Sequence, residues 1–218
     1  MRPAPKFVER TTGPRGGTGE TAPLLVLLHG IGADENDLFP LARAFDPRFR
    51  VVSLRAPHRY SGGWAWFHID LLPGGRVIPD TDQARETLAD FVRWVEVAPT
   101  RLGTDPKRTF LLGFSQGAMM ALGVLRAMPE RLAGVVALSG RDPAALVDHP
   151  ASPDAVARVP LLIAHGTLDD VLPVENGRQA RDAFSELSRD FTYHEFAIGH
   201  AIGDDELAVV ASWLAAHL

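Results

Sequence analysis

The chain has 218 residues, 46% hydrophobic and 22% charged, with a net charge of −5 at pH 7. That balance suits a globular chain with a sizeable core and leaves no basic footprint for nucleic acid. The absence of cysteine excludes disulfides, thiolate nucleophiles and thiolate-bound metals.

Met1 to Lys6 contains no apolar leader of signal-peptide length, so a cytoplasmic protein without stable membrane anchoring is expected. Lys6 to Arg10 reads as an edge strand, and Thr11 to Gly19 as a turn-rich, mobile connection. Near-continuous apolar runs then recur at Leu24–Leu28, Val51–Leu54, Phe110–Leu112, Gly134–Leu138 and Leu161–Ala164, with a last strand at Phe191–Phe196. Runs of this kind suit strands buried on both faces of a mostly parallel sheet. Asp70 to Val77, with Pro73-Gly74-Gly75-Arg76, reads as a mobile turn. Leu88, Phe91, Val92 and Val95 have helical spacing, with Asp80 and Gln83 as a capping box upstream and Pro99 as the stop. A second helix, apolar nearly all round, follows Ser115 and ends before Pro129. Asn176–Ser188 and Leu207–Leu214 complete the helical set. Strands alternating with helices predict a doubly wound α/β sheet, and no composition break divides residues 1–218 into two domains.

The most informative stretch is Gly113-Phe114-Ser115-Gln116-Gly117, a serine between two glycines where a strand turns into a helix. G-x-S-x-G in that setting is the nucleophile elbow of an α/β-hydrolase, a fold whose acid and histidine follow the serine in chain order. Asp169, in the loop after Leu161–Ala164, is the expected acid, with Asp170 its rival one register away. His200, between the last strand and the last helix, is the expected base. An attacked acyl carbonyl also needs main-chain N–H donors, expected from Gln116 and from Ile31 in His29-Gly30-Ile31-Gly32. His29 and His165, each before a glycine at a strand end, read as organisers of their loops. Neither has a second ligand at metal-binding spacing, so no metal and no cofactor are expected.

The motifs Leu-His-Gly-Ile-Gly, Gly-Phe-Ser-Gln-Gly, His-Gly-Thr-Leu-Asp and Gly-His together resemble the carboxylesterase/acyl-protein thioesterase (phospholipase/carboxylesterase) family of α/β-hydrolases. The resemblance covers residue 20 to the C-terminus and implies a compact domain without a large cap. It also implies a triad of Ser115, Asp169 and His200 and oxyanion donors at Ile31 and Gln116. His58, Arg59 and Trp64 depart from the more apolar loop of members that act on long acyl chains. Trp64, Trp66 and Phe67 are expected either to wall the substrate pocket or to anchor their loop on the core. Leu168, Val171 and Leu172 flank the acid as further pocket candidates; Arg59 and Arg141 either meet a charged substrate head group or, as expected here, lie at the surface.

The function so implied is hydrolysis of carboxylic esters through an acyl-enzyme on Ser115, with thioesters and lysophospholipids as further substrates. Non-catalytic ligand binding, acyl transfer and perhydrolysis on the same scaffold are the alternatives. The expected partner is a small-molecule ester or thioester, not nucleic acid, and a homodimer stays open.

Overall fold

The computed structural model describes residues 7–12, 21–71 and 77–218. The core of the predicted connection between the first two strands and the tip of the Asp70–Val77 turn lie outside the described residues. The strands in chain order are β1 (Val8–Thr11), β2 (Leu24–Leu28), β3 (Arg50–Arg55), β4 (His58–Tyr60), β5 (Gly63–Ala65), β6 (Ile69–Leu71), β7 (Val77–Pro79), β8 (Thr109–Phe114), β9 (Leu132–Leu138), β10 (Leu161–Gly166) and β11 (Phe191–Phe196). The helices are α1 (Thr81–Leu102), α2 (Gln116–Ala127), a single turn α3 (Pro153–Val156), α4 (Val174–Ser185) and α5 (Asp204–Ala216).

Seven strands form one sheet in the order β1-β3-β2-β8-β9-β10-β11. Only β1 runs antiparallel to its neighbour, and the other pairs are parallel. The predicted doubly wound sheet is therefore the architecture, and β2 illustrates why its strands read as unbroken apolar runs. Leu24, Val26 and Leu28 face one cluster, with side chains from α1, α2 and α4. Leu25 and Leu27 face the other, with Val210, Trp213 and Leu214 of α5 and with Leu38, Phe45 and Phe49. Each fully buried leucine contributes about 2 kcal/mol by leaving water. Among the described residues no helix is long and apolar enough to cross a membrane.

Two local expectations need correction. Pro99 does not stop α1, which continues to Leu102 and ends at Gly103 in the left-handed conformation (φ 66°). A proline forfeits its own N–H bond. Trp94, Val95, Ala98 and Pro99 are all buried, so packing carries the helix past that loss. The capping box is also only half formed. Asp80 accepts from the Gln83 N–H at 3.0 Å, but the Gln83 side chain turns to the His68 N–H at 2.6 Å. The paired hairpins β4–β5 and β6–β7 fill what the sequence reads as loop.

Candidate active site

β8 and α2 meet at Ser115, whose backbone adopts φ 56°, ψ −117°. A side chain is crowded there, at a strain of about 1–3 kcal/mol. The conformation is held by its surroundings. The Ser115 N–H donates to Leu138 O at 2.9 Å, and Ser115 O accepts from the N–H groups of Ala118 and Met119 at 3.1 and 3.3 Å. The two flanking glycines supply space rather than unusual torsions. A Cβ on Gly113 would lie 2.2 Å from Gly117 O, and one on Gly117 only 2.0 Å from Leu28 O.

Two loops at the same edge of the sheet converge on this serine. His200, between β11 and α5, places Nε2 at 3.0 Å from Ser115 Oγ and Nδ1 at 2.6 Å from Asp169 Oδ2. Asp169, after β10, has its other oxygen fixed by the N–H groups of Val171 and Leu172 at 3.0 and 2.8 Å. Burial pushes the Asp169 carboxyl upward, and the hydrogen bonds from His200, Leu172 and Val171 more than offset this, leaving it below the usual range. The carboxylate therefore stays ionised and keeps the imidazole proton on Nδ1, leaving Nε2 free to accept from the serine. Among the described residues Asp169, and not Asp170, is the carboxylate hydrogen-bonded to His200. Phe114 packs on the imidazole with ring centroids 4.8 Å apart.

His165 supports the acid from behind. Its Nε2 lies 2.7 Å from Leu172 O and 3.4 Å from Asp169 Oδ2, and its side chain is fully buried. A proton on Nε2 can donate to Leu172 O, whose own residue donates to Asp169, so the acid loop closes on itself. Among the described residues Nδ1 has no hydrogen-bond partner, and it faces α4, where a Cβ on Gly177 would come within 2.5 Å of it.

The loop after β2 abuts the serine from the opposite side. A Cβ on Gly30 would lie 3.3 Å from Ser115 Cβ. Neither the Ile31 nor the Gln116 N–H donates to an acceptor among the described residues. Several carbonyls of this loop are engaged. His29 Nδ1 is 2.6 Å from Gly30 O, and His29 Nε2 accepts from the Ala56 N–H at 3.0 Å, which fixes the neutral tautomer. Burial lowers the His29 pKa further. Trp66 Nε1 donates to His29 O at 2.9 Å, the Gly32 N–H donates to Trp64 O at 2.8 Å, and the Trp64 N–H donates to Ala33 O at 2.9 Å.

The Gln116 side chain has a role that sequence reasoning missed. Its Oε1 accepts from the Trp66 N–H at 3.0 Å, and its Nε2 donates to Phe67 O at 2.9 Å. The residue that offers a free N–H beside Ser115 thus also ties the serine turn to the segment bracing the Ile31 loop.

Of the residues expected to line a pocket, Trp66 and Phe67 are at most 1% exposed and belong to the core with Phe91 and Trp94. Their burial packs this loop onto the core. Trp64 is half-buried, with the Arg55 and Arg59 guanidinium groups 4.9 and 4.2 Å from its ring centre. Leu168 and Val171 are 67% and 64% exposed on the acid loop, while Leu172 is half-buried. Arg141 also departs from expectation, being half-buried rather than at the surface. Among the described residues no group of three or more metal-ligating side chains comes together.

The arrangement invites comparison with known proteins. The phospholipase/carboxylesterase family model matches residues 16–218. A probable carboxylesterase of Oryza sativa is 29% identical over 205 residues, covering 88% of this chain and 76% of its own. Acyl-protein thioesterase 1 of Saccharomyces cerevisiae is 31% identical over 209 residues, covering 87% and 90% respectively. The crystal structure of a carboxylesterase from Mesorhizobium loti superposes with a TM-score of 0.81 at 26% identity, over 96% of this chain and 94% of that one. The fold is that of the α/β-hydrolases, with no large cap among the described residues, and the chain belongs to the phospholipase/carboxylesterase family.

Proposed function

We propose that the protein is a serine hydrolase that cleaves carboxylic esters, and thioesters by the same route, with Ser115, Asp169 and His200 as its catalytic groups. The observation that carries this reading is one imidazole within hydrogen-bonding distance of both the serine hydroxyl and a buried carboxylate. Ser115 Oγ attacks the acyl carbonyl while His200 Nε2 takes its proton, and Asp169 stabilises the imidazolium that forms. The N–H groups of Ile31 and Gln116 receive the developing oxyanion, each contributing about 3 kcal/mol to the transition state. His200 then protonates the leaving alcohol or thiol. Water, deprotonated by His200, attacks the acyl-enzyme, and His200 returns that proton to Ser115 Oγ as the acid leaves.

A non-catalytic binder has no use for a strained serine aligned with a base, and acyl transfer would need an acceptor that outcompetes water. The test is mass spectrometry after treatment with a fluorophosphonate, alongside turnover of p-nitrophenyl esters. One adduct per chain is expected, abolished by Ser115→Ala together with a loss of about 10⁴-fold or more in kcat/KM. An unlabelled wild-type chain, or a Ser115→Ala variant as active as wild type, would refute the assignment.

A further inference from the structure

Beyond the hydrolytic groups, the chain leaving β9 carries a charged residue, Arg141, that the reaction described above does not use. β9 lies next to β8, with Leu138 opposite Phe114, and the Ser115 N–H donates to Leu138 O. Ser139-Gly140-Arg141 therefore crosses the edge of the sheet beside the serine. Gly140 is pressed against the start of α2, where a Cβ on it would lie 2.6 Å from Ala118 Cβ and 3.6 Å from Ser115 O. Arg141 is the next residue, about 3.8 Å further along the chain between Cα atoms.

Arg141 is half-buried, yet among the described residues it makes no hydrogen bond and no ion pair. The other partly buried arginines near this edge are held by acids. Arg55 is paired to Glu35 through two bonds, and Arg126 to Asp142 through two bonds of 2.9 Å. That second pair matters, because Asp142 is the neighbour of Arg141, and its carboxylate also accepts from the Ala144 N–H at 3.1 Å. The nearest acid in sequence is thus fully engaged elsewhere. Burial alone acts on the Arg141 pKa, pulling it down with no acid to offset it. The guanidinium still stays protonated, since arginine does not lose its charge in proteins.

A partly desolvated cation without a partner is unfavourable unless an anion completes it. A guanidinium offers a planar fork that matches an oxyanion through two parallel bonds. We propose that Arg141 anchors a carboxylate on the substrate, so that the esters preferred by this enzyme are half-esters of short dicarboxylic acids. A single unpaired arginine on a chain of net charge −5 favours a monoanionic carboxylate over a polyanionic phosphate. Held by Arg141, the far carboxylate would fix the position of the reacting carbonyl over Ser115, and a loose ester would become an oriented one.

This inference rests on the hydrolase reading, and its test separates the two. Wild type, Arg141→Gln and Arg141→Lys are assayed on p-nitrophenyl hemiglutarate and p-nitrophenyl butyrate, esters of similar size that differ in the free carboxylate. The ratio of kcat/KM for the charged over the neutral ester should exceed one in wild type. It should fall about tenfold to a hundredfold in Arg141→Gln and less in Arg141→Lys. A ratio that is the same in all three proteins would overturn the proposal. Calorimetry of wild type and Arg141→Gln with glutarate, its diamide and inorganic phosphate reads the anchor without turnover. Glutarate binding that needs Arg141 supports it even if no ester is cleaved. Binding of the diamide as tight as glutarate, or tighter binding of phosphate, would overturn it, and this arm also decides the matter if the glutamine variant folds poorly for kinetics.

Discussion

Replacing Ser115 by glycine and by alanine separates the chemistry of the nucleophile from the strain that presents it. Both variants lose the hydroxyl and its 3.0 Å contact to His200, so that loss cancels between them. Alanine keeps the Cβ that makes φ 56°, ψ −117° unfavourable, whereas glycine accepts those torsions freely. Relief of about 1–3 kcal/mol is set against the greater freedom of glycine in the unfolded chain, about 0.4–1 kcal/mol. The net difference is about 1.5 kcal/mol in favour of Ser115→Gly. For a chain of 218 residues each kcal/mol moves Tm by about 2–4 °C. Differential scanning calorimetry at neutral pH should therefore find Ser115→Gly melting about 3–6 °C above Ser115→Ala, with both inactive towards p-nitrophenyl esters. Equal melting temperatures, or a lower one for glycine, would mean that the elbow stores no strain and the argument from its torsions is wrong.

Gln116→Ala leaves the Trp66 N–H and Phe67 carbonyl buried and unpaired, a penalty of about 2–4 kcal/mol and a Tm about 10 °C lower. The main-chain N–H of residue 116 survives, so fluorophosphonate labelling should persist, and an unshifted Tm would rule out the bracing role. Glu206→Gln tests a buried acid at the start of α5. Glu206 is 1% exposed, neither oxygen has a hydrogen-bond partner of normal geometry, and burial raises its pKa from 4.5 to about 7, with only the Gly203 N–H easing the charge. Below pH 4.5 both folded and unfolded chains hold this proton, and between that value and about 7 only the folded one does. Stability is thus lost as pH rises through this window, by about 3 kcal/mol at pH 8. Glu206→Gln should raise Tm at pH 8 and leave it unchanged at pH 4, and a lower Tm at pH 8 would contradict the assignment.

The central strands were legible because burial on both faces leaves no polar alternation to misread, as at Leu24–Leu28. The edge was less so. β1 is shifted from Lys6–Arg10 to Val8–Thr11, since a strand with one neighbour carries little hydrophobic signal. Chain order and local glycine chemistry pointed to Ser115, Asp169 and His200, and the three meet in space. What sequence could not reveal are contacts made by side chains to distant backbone. Gln116 finds its partners 50 and 49 residues away, and nothing local marks them. Glu206 did carry a signal. It stands four residues before Val210, on the buried stripe of α5, although Asp204-Asp205-Glu206 reads as a solvated acidic first turn. For Arg141 the sequence left a charged substrate group and the surface both open, because its lack of a partner depends on Asp142 being taken by Arg126.

The site is best understood as two blocks that meet at one hydrogen bond. The first comprises the serine turn and the Ile31 loop, welded by Gln116, Trp66 and His29 into a single unit that holds the N–H groups of Ile31 and Gln116, the proposed oxyanion donors, beside Ser115. The second comprises the Asp169 and His200 loops, joined to each other by the Leu168 N–H to Ile198 O bond at 3.0 Å and the Thr167 N–H to Phe196 O bond at 2.7 Å. Within each block the groups are over-determined by buried bonds, which is what preorganised electrostatics and a fixed tautomer require. Between them, among the described residues and the hydrogen bonds of these side chains, only the 3.0 Å contact from His200 to Ser115 spans the gap, and in the proposed reaction the proton crosses there in both directions. Damage to the first block should weaken stabilisation of the oxyanion while the serine still deprotonates. Damage to the second should leave a site that binds oxyanion mimics but no longer activates its nucleophile.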